Sequence, residues 1–286
     1  MIPEHGTWEI VSRPPEPALR PYVRDYAGYV ENIAGVLRRR ELPSGDVIVI
    51  VNLGAPLSVG HPRDTTLALG AGQGFVAGLH DSWAITEAVG MQRGVEVRLT
   101  PIGAHLIFGL PMHAISNRVV PLGDLLGPAT GRLVERLQAA PSWECCFDLL
   151  EAQIRARIAA AHESSPSVAS GRVAHAWRRL VDTAGSLDVG ALADELACSK
   201  KHLIAQFREQ IGLPPKTVAR IIRFGHAIGR LDALGEAGWA EIALDAGYYD
   251  QAHLIRDFRQ FTGATPRNFL ARRYGDSPRT LVEPPA

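Results

Sequence analysis

Apolar and polar positions along this chain change period twice. Up to about residue 35 no period is clear, and Pro14, Pro15, Pro17 and Pro21 discourage an early helix. Residues 20–30 read equally as a short helix or an edge strand. From about 36 to 100 the apolar positions fall in short runs broken by turn chemistry. Asp46 to Asn52 is β-branched and apolar, as in a strand buried on both faces, with PSGD before it and LGAP after it. Gly74 to Leu79, Trp83 to Val89 and Gly94 to Leu99 are further strands, the last two partly alternating. Short strands at this spacing predict a small antiparallel sheet or barrel. Near Pro101 the spacing changes to three and four. Helices are expected from 101, over 124–138 and over 143–161, the last with Phe147, Leu150, Ile154 and Ile158 on one face. That helix could cover the sheet or pair with its twin in a homodimer.

Beyond a small, polar segment at 162–171, read as a linker, residues 172–273 are helical by pattern and contain a repeat. Placing Phe207 on Phe258 also pairs His202 with His253, Leu203 with Leu254, Ile204 with Ile255, Arg208 with Arg259, Gly212 with Gly263 and Pro215 with Pro266. Upstream, Leu192 and Ala193 match Ile242 and Ala243 at an offset one shorter, so the second copy carries an extra residue near Tyr249. Asp188 or Ser186 suits the cap of one helix and Ser199 that of the next, which ends at Gly212 before two prolines. A long helix over 215–233 then leads to the second set. Two short helices joined by a tight turn form a helix-turn-helix, whose second helix fits the DNA major groove. A connecting helix of about 18 residues is roughly 27 Å long, compatible with probes in successive grooves about 34 Å apart.

Composition adds limits. The 286 residues favour two domains, and 46% apolar with 21% charged content is ordinary for a soluble globular protein. Net charge is zero, but residues from 171 onward hold 16 Lys+Arg against 13 Asp+Glu, whereas 1–170 hold 14 against 17. The C-terminal half thus has the sign expected of an anion-binding partner. No apolar run reaches 18 residues and the N-terminus lacks a secretory pattern, so no membrane partner and a cytoplasmic location are expected.

Residues 192–215 (LADELACSKKHLIAQFREQIGLPP), 223–231 (RFGHAIGRL) and 242–266 (IALDAGYYDQAHLIRDFRQFTGATP) closely resemble the DNA-binding domain of the AraC/XylS family of transcription regulators. The resemblance covers residues 172–273. Residues 42–54 (LPSGDVIVIVNLG), 97–105 (VRLTPIGAH), 109–112 (GLPM) and 121–127 (PLGDLLG) are similar to the sensor region of a subset of that family. The resemblance implies an α+β protein: a small β-sheet or barrel domain, often cupin-like, over 1–161; the linker 162–171; an all-α tandem helix-turn-helix domain over 172–273, with units at 187–212 and 238–263; and a flexible tail, 274–286. It implies a DNA-binding regulator, not an enzyme, with double-stranded DNA as partner, RNA polymerase as a second partner if it activates, and a small-molecule effector in the N-terminal domain. The alternatives are an effector-independent DNA-binding protein and a cysteine-based DNA-repair methyl acceptor.

The family's base-facing positions fall on Lys201, Ile204 and Ala205 in the first copy and on Gln251, Ala252, Ile255 and Arg256 in the second. Lys201 and Arg256 suit guanine and Gln251 suits adenine. Lys200, Arg208, Lys216, Arg220, Arg259 and Arg267 are expected at phosphates. Trp83, Phe75, Met91 and Phe108 are the candidates for an effector pocket. No metal or cofactor is expected: His61, His80, His105 and His113 are scattered, and GAGQGF at 70–75 lacks the lysine of a phosphate loop. Cys145, Cys146 and Cys198 have no charged neighbour in the sequence that would activate a thiolate.

Overall fold

The structure, a computed structural model, describes residues 6–62, 64–164, 171–234, 238–271 and 280–283. Its N-terminal half is an antiparallel sheet built on two long strands, β2 (Val23–Glu41) and β7 (Ala84–Leu99). The others are β1 (Gly6–Arg13), β3 (Val47–Asn52), β4 (Leu57–Gly60), β5 (Leu67–Leu69), β6 (Gln73–Ala77) and β8 (Val119–Pro121). The order is β1-β2-β7-β3-β6-β8, while β4 joins β7 to β5. The pairing of β2 with β7 slips between Ile33 and Val36, where Gly35 and its neighbour across the ladder, Gly90, both take left-handed φ values, +92° and +72°. Only glycine accepts these angles without strain, so both strands bend at one point and fold the sheet over itself. One small core, Ile50, Val59, Leu69, Phe75 and Val119, lies inside the fold. The strands expected over 83–89 and 94–99 are therefore one bent strand, Ala84–Leu99, and residues 20–30 lie mostly in β2, which pairs with β1 on one side and β7 on the other.

The opposite face of the sheet, with Val49, Val51, Val97 and Leu99, carries four helices: α1 (Pro101–Phe108), α2 (Leu122–Leu126), α3 (Ala129–Ala139) and α4 (Trp143–Ser164). Gly127, at the C-cap of α2, splits the helix expected over 124–138. The apolar stripe of α4 lies on the sheet, with Phe147 stacked on Tyr26 and Trp143 seated over Gly28. Arg13 clamps its outer edge through Glu144, Asp148 and Glu151. Of the two roles open for this helix, covering the sheet is the one the structure displays. It runs three residues into the expected linker, whose residues 165–170 lie outside the described ones.

The C-terminal half is helical: α5 (Arg172–Asp182), α6 (Val189–Glu195), α7 (Lys200–Gln210), α8 (Pro215–Leu234), α9 (Trp239–Asp245), α10 (Gln251–Thr262) and α11 (Pro266–Ala271). The halves share a continuous core. Trp83 packs on Gly263 while the Arg40 guanidinium lies 4.2 Å above the Trp83 ring and donates to Thr262 O at 2.5 Å. The C-terminal tail differs from its expectation. Residues 280–282 form β9 (Thr280–Val282), which pairs antiparallel with Arg39–Glu41 of β2 and buries Leu281 completely; residues 274–279 lie outside the described ones. The edge of β2 beyond its bend supplies hydrogen bonds that a short returning strand can complete, with Leu281 closing over the core.

Candidate nucleic-acid interface

The second helix of each helix-turn-helix begins with a side-chain cap, and so does the first helix of the first unit. Asp188 accepts from the Gly190 and Ala191 amides at 2.7 and 3.0 Å and starts α6; Ser199 accepts from His202 N at 3.2 Å and starts α7. In the second copy Asp250 caps α10 through His253 N at 2.7 Å. The backbone donors of Ala191 and Gly190, with Lys200 nearby, hold the Asp188 carboxyl below its usual range. Both turns contain a left-handed residue at matching places, Ala197 at φ +50° and Gly247 at +75°. The extra residue falls between helices: four residues separate α6 from α7, five separate α9 from α10. Leu203, Phe207, Leu254 and Phe258, the shared apolar positions, are buried. The repeat is thus a repeat of core and caps.

The expected base-facing residues stand on the outer faces of α7 and α10. Lys201 and Ala205 are exposed on α7, with Ile204 half-buried. Gln251, Ala252 and Arg256 are exposed on α10, and Ile255 is half-buried. Lys200, Arg208, Lys216, Arg259 and Arg267 are exposed, and no carboxylate ion pair is seen for them among the described residues. A cation with no internal partner leaves its charge available to a polyanion.

Arg220 departs from this group. It is only 26% exposed and clasps Asp257, 3% exposed, through Nη2 at 2.6 Å and Nε at 3.2 Å. It also donates to Gln260 at 2.7 Å and lies 5.2 Å from the Phe261 ring. Asp257 and Gln260 belong to α10 and Arg220 to α8, so the pair fixes α10 on α8. Arg223, one turn along, donates to Gly185 O at 2.7 Å and lies 5.3 Å from the Tyr248 ring. The sequence spacing shows the charge of Arg220 but not its partner 37 residues away.

Tyr249 is a residue the sequence reading did not assign. It precedes the cap of α10 and is 89% exposed, a large aromatic placed in water beside Gln251. Its signal was there: it sits at the insertion that breaks the repeat.

The four effector candidates do not converge. Phe75 is packed in the inner core, Met91 is 58% exposed on β7, and Trp83 sits in the seam between the halves. Phe108 alone of the four borders the cavity of about 50 Å³ between the sheet and α1–α4. His61 and His80, distant in sequence, are neighbours with ring centroids 4.6 Å apart, and Ser82 Oγ lies 2.9 Å from His61 Nε2. Burial, with the His61 ring adding to it, pushes His80 down to about 4. Among the described residues no group of three or more His, Cys, Asp or Glu side chains could hold a metal. Cys146 is buried, and that burial pushes its thiol up, opposite to the shift an alkyl-accepting thiolate requires. No helix among the described residues is long and apolar enough to cross a membrane.

Residues 192–281 match the family described as a helix-turn-helix domain, and residues 11–121 match a domain family of unknown function, DUF6597. Among solved structures, ToxT from Vibrio cholerae O395 is similar over 94% of this chain and 98% of its own, at 9% identity and a TM-score of 0.48. Unsaturated fatty acid bound wild-type ToxT from Vibrio cholerae strain SCE256 is similar over 94% and 96%, at 10% identity and 0.46. The AraC-like transcriptional activator CuxR is similar over 77% and 87%, at 13% identity and 0.35. No curated protein matches the chain.

Proposed function

We propose that this chain, which belongs to the AraC/XylS family of DNA-binding transcription regulators through its helix-turn-helix domain, reads a promoter sequence with α7 and α10 under the control of a small molecule held by its N-terminal domain. The observation that carries the reading is the pair of capped helices with matching buried cores and unmatched outer faces. A repeat kept for architecture alone has no need of different exteriors, whereas two probes on one asymmetric site do. Gln251 and Arg256 carry bidentate hydrogen-bonding chemistry for adenine and guanine. Lys201 is the one strong polar base contact of α7, with Ile204 and Ala205 placed for thymine methyls. Lys200, Arg208, Lys216, Arg259 and Arg267 supply phosphate contacts and register. Arg220 is removed from that set, because its charge is committed to Asp257.

The N-terminal domain contributes control in this reading. Its loop at 81–83 and Arg40 touch the C-terminal end of α10, through Gln260 to Asp81 O at 3.4 Å and Arg40 to Thr262 O at 2.5 Å. Its 112–116 turn touches the end of α7, where Ser116 Oγ meets Gly212. A change in that domain therefore has a physical path to each helix-turn-helix. The test is selection of bound sequences from a random duplex pool by the purified full chain. A two-part motif in which Arg256→Ala loses a guanine and Lys201→Ala loses a position in the other part supports the reading. Enrichment of no sequence sinks it.

A further inference from the structure

Successive residues of β2 and β7 alternate between the face that carries the helices and the face turned inside the folded sheet. Tyr26 and Gly28 meet α4, so Asp25 and Tyr29 point inward. Val97 and Leu99 face the helices, so Gln92, Glu96 and Arg98 point inward as well. This inner strip holds oxygens in excess of donors. Gln92 is 2% exposed and its Oε1 is buried without a hydrogen-bond partner, as is Asp25 Oδ1. The Tyr29 hydroxyl lies directly on Gly94, where any side chain would strike it, and Glu96 stands two positions along the same strand. Tyr29 and Glu96 are half-buried, so solvent reaches both. Among the described residues no hydrogen bond or ion pair to either side chain is seen.

The cations nearby are already engaged. Arg98 donates to Asp25 at 3.1 Å and to Asp46 at 2.6 Å, and Arg24 lies 3.4 Å from Asp46. Arg39, near Tyr29, is held by Glu31 at 3.0 and 3.1 Å. Glu41, the remaining carboxylate near Glu96, accepts from Thr86 and Thr280 at 3.1 and 2.9 Å. Arg98 and Arg24 thus balance Asp25 and Asp46, and the charge of Glu96 is left over. Burial pushes Glu96 up to about 7, with Arg98 opposing the rise and Asp25, Glu41 and Asp46 adding to it. Burial pushes Tyr29 up too, so its hydroxyl keeps its proton and its oxygen accepts.

We infer that this strip of the inner face binds a small primary amine in its ammonium form, with the Glu96 carboxylate as counter-ion. An ammonium group has three donors and no acceptor, which complements a row of unmet oxygens. Tyr29 and Glu96 are diagonal neighbours across the ladder, about 7–8 Å apart along the backbone, a span that one nitrogen about 2.9 Å from each oxygen bridges. The apolar part of the amine lies over Ala27, directly opposite Glu96, and toward Ile10, which is opposite Tyr29 and 55% exposed. A carboxylate ligand would stand against Glu96 and Asp25. An alcohol would meet the oxygens and leave the charge uncompensated. The ammonium takes the place of the proton that Glu96 holds near neutrality, so binding releases a proton.

The site also has an outlet to the helical half. Arg98, two positions from Glu96 on the same face, ties down Asp46. The preceding residue, Gly45, lies against Trp177 of α5 and Ile222 of α8. A charge placed on Glu96 acts on the arginine that holds this turn, and through it on the helix that spaces the two helix-turn-helix units. This part rests on the reading of the chain as an effector-controlled DNA binder.

The experiment is titration calorimetry of the full chain with butylammonium, butanol and butanoate, followed by binding to the selected duplex with and without butylammonium. Butylammonium is expected to bind about tenfold or more tightly than butanol, and butanoate not at all. In buffers of different ionisation heat, close to one proton should leave per molecule bound at about pH 6 and almost none at about pH 8.5. Glu96→Gln should bring butylammonium down to the level of butanol, and Tyr29→Phe should weaken it about threefold. Ala27→Leu, which keeps the charge and fills the space opposite it, should abolish binding, with a thermal melt confirming that each variant is folded. Equal binding of butylammonium and butanol, no heat with either, or binding unchanged in Glu96→Gln overturns the proposed site. Binding of butylammonium with unchanged duplex affinity leaves the site standing and overturns the effector reading. Binding of butylammonium by a chain that binds no duplex upholds the site and overturns the regulator reading alone.

Discussion

Replacing Arg220 separates two accounts of one arginine. If its charge serves DNA, Arg220→Met should lower affinity for every sequence and reduce the salt dependence of binding by about one unit of slope, with folding stability nearly unchanged. The geometry argues otherwise. Arg220 makes two contacts to Asp257, at 2.6 and 3.2 Å, and the aspartate side chain is 3% exposed. Removing the arginine leaves a buried carboxylate without a partner, a loss of about 3–5 kcal/mol when a buried pair is broken from one side. Because Arg220 is itself 26% exposed, solvent enters the gap, and about 2–4 kcal/mol is the better expectation. Urea denaturation measures it. The double variant Arg220→Met with Asp257→Leu removes both charges and fills the space, so it should recover most of the loss; the coupling between the two sites should be of the order of 2 kcal/mol. Operator affinity of the double variant should return with stability while the salt slope stays at the parent value. A single variant of parental stability with a shallower slope refutes the positioning role and restores Arg220 to the phosphate contacts.

Arg256→Ala should weaken the cognate site by about 1–3 kcal/mol and relax preference at one base pair, measured by competition among single-base operator variants; equal losses on cognate and random DNA would count against base reading. Lys216→Ala should weaken both equally and lower the salt slope by about one. Ala197→Gly, which gives the first turn the residue type that Gly247 supplies in the second, should stabilise the chain by about 0.5–1 kcal/mol in urea, since Ala197 sits at φ +50°; a destabilised variant would show that this angle is not a strain. Burial pushes Glu96 up to about 7 from an ordinary 4.5, with Asp25, Glu41 and Asp46 adding to it and Arg98 opposing it. The folded state therefore holds the proton, and stability falls as pH rises from about 4.5 through about 7. Glu96→Gln removes that loss, so it should exceed the parent by roughly 1–2 kcal/mol at pH 8 and equal it at pH 4; a less stable variant at pH 8 refutes the assignment.

Where a signal is local, the sequence carries it. Ser199, Asp188 and Gly212 act within a few residues of themselves, and the apolar stripes of α4, α7 and α10 repeat at helical spacing, so these elements were legible without coordinates. The same holds for β3, whose unbroken β-branched run is buried on nearly every side. What escaped is long-range. Residues 83–99 read as two strands because Gly90 and Gly94 interrupt the pattern, yet Gly35 across the ladder turns the first interruption into a shared bend. The reading of 274–286 as a flexible tail failed at β9 for the same reason: three residues cannot announce a strand whose partner, Arg39–Glu41, lies some 240 positions earlier. The effector candidates stand out in the sequence by size and aromaticity, which report burial more often than binding, and three of the four lie away from the cavity.

Two of these long-range features, Trp83 and the returning tail, meet at one place in the molecule, against the end of α10. Arg40 holds Thr262 O at the end of α10 and pairs with Glu283 at 2.6 Å, while its guanidinium lies on Trp83, which in turn packs on Gly263. One side chain of the sheet therefore touches the second recognition helix, the returning tail and the 80–84 loop together. Each of these contacts joins residues more than 40 positions apart, so none leaves a periodic trace. Recognition chemistry, by contrast, must face outward from a short helix and is confined to consecutive turns. The physical division is then plain: the faces proposed to meet DNA are written in local sequence, whereas the seam between the sheet and α10 exists only in the fold. Loosening that seam without changing a residue of α7 or α10, as Arg40→Met would, should lower operator affinity in a binding titration while leaving the selected base sequence as it was.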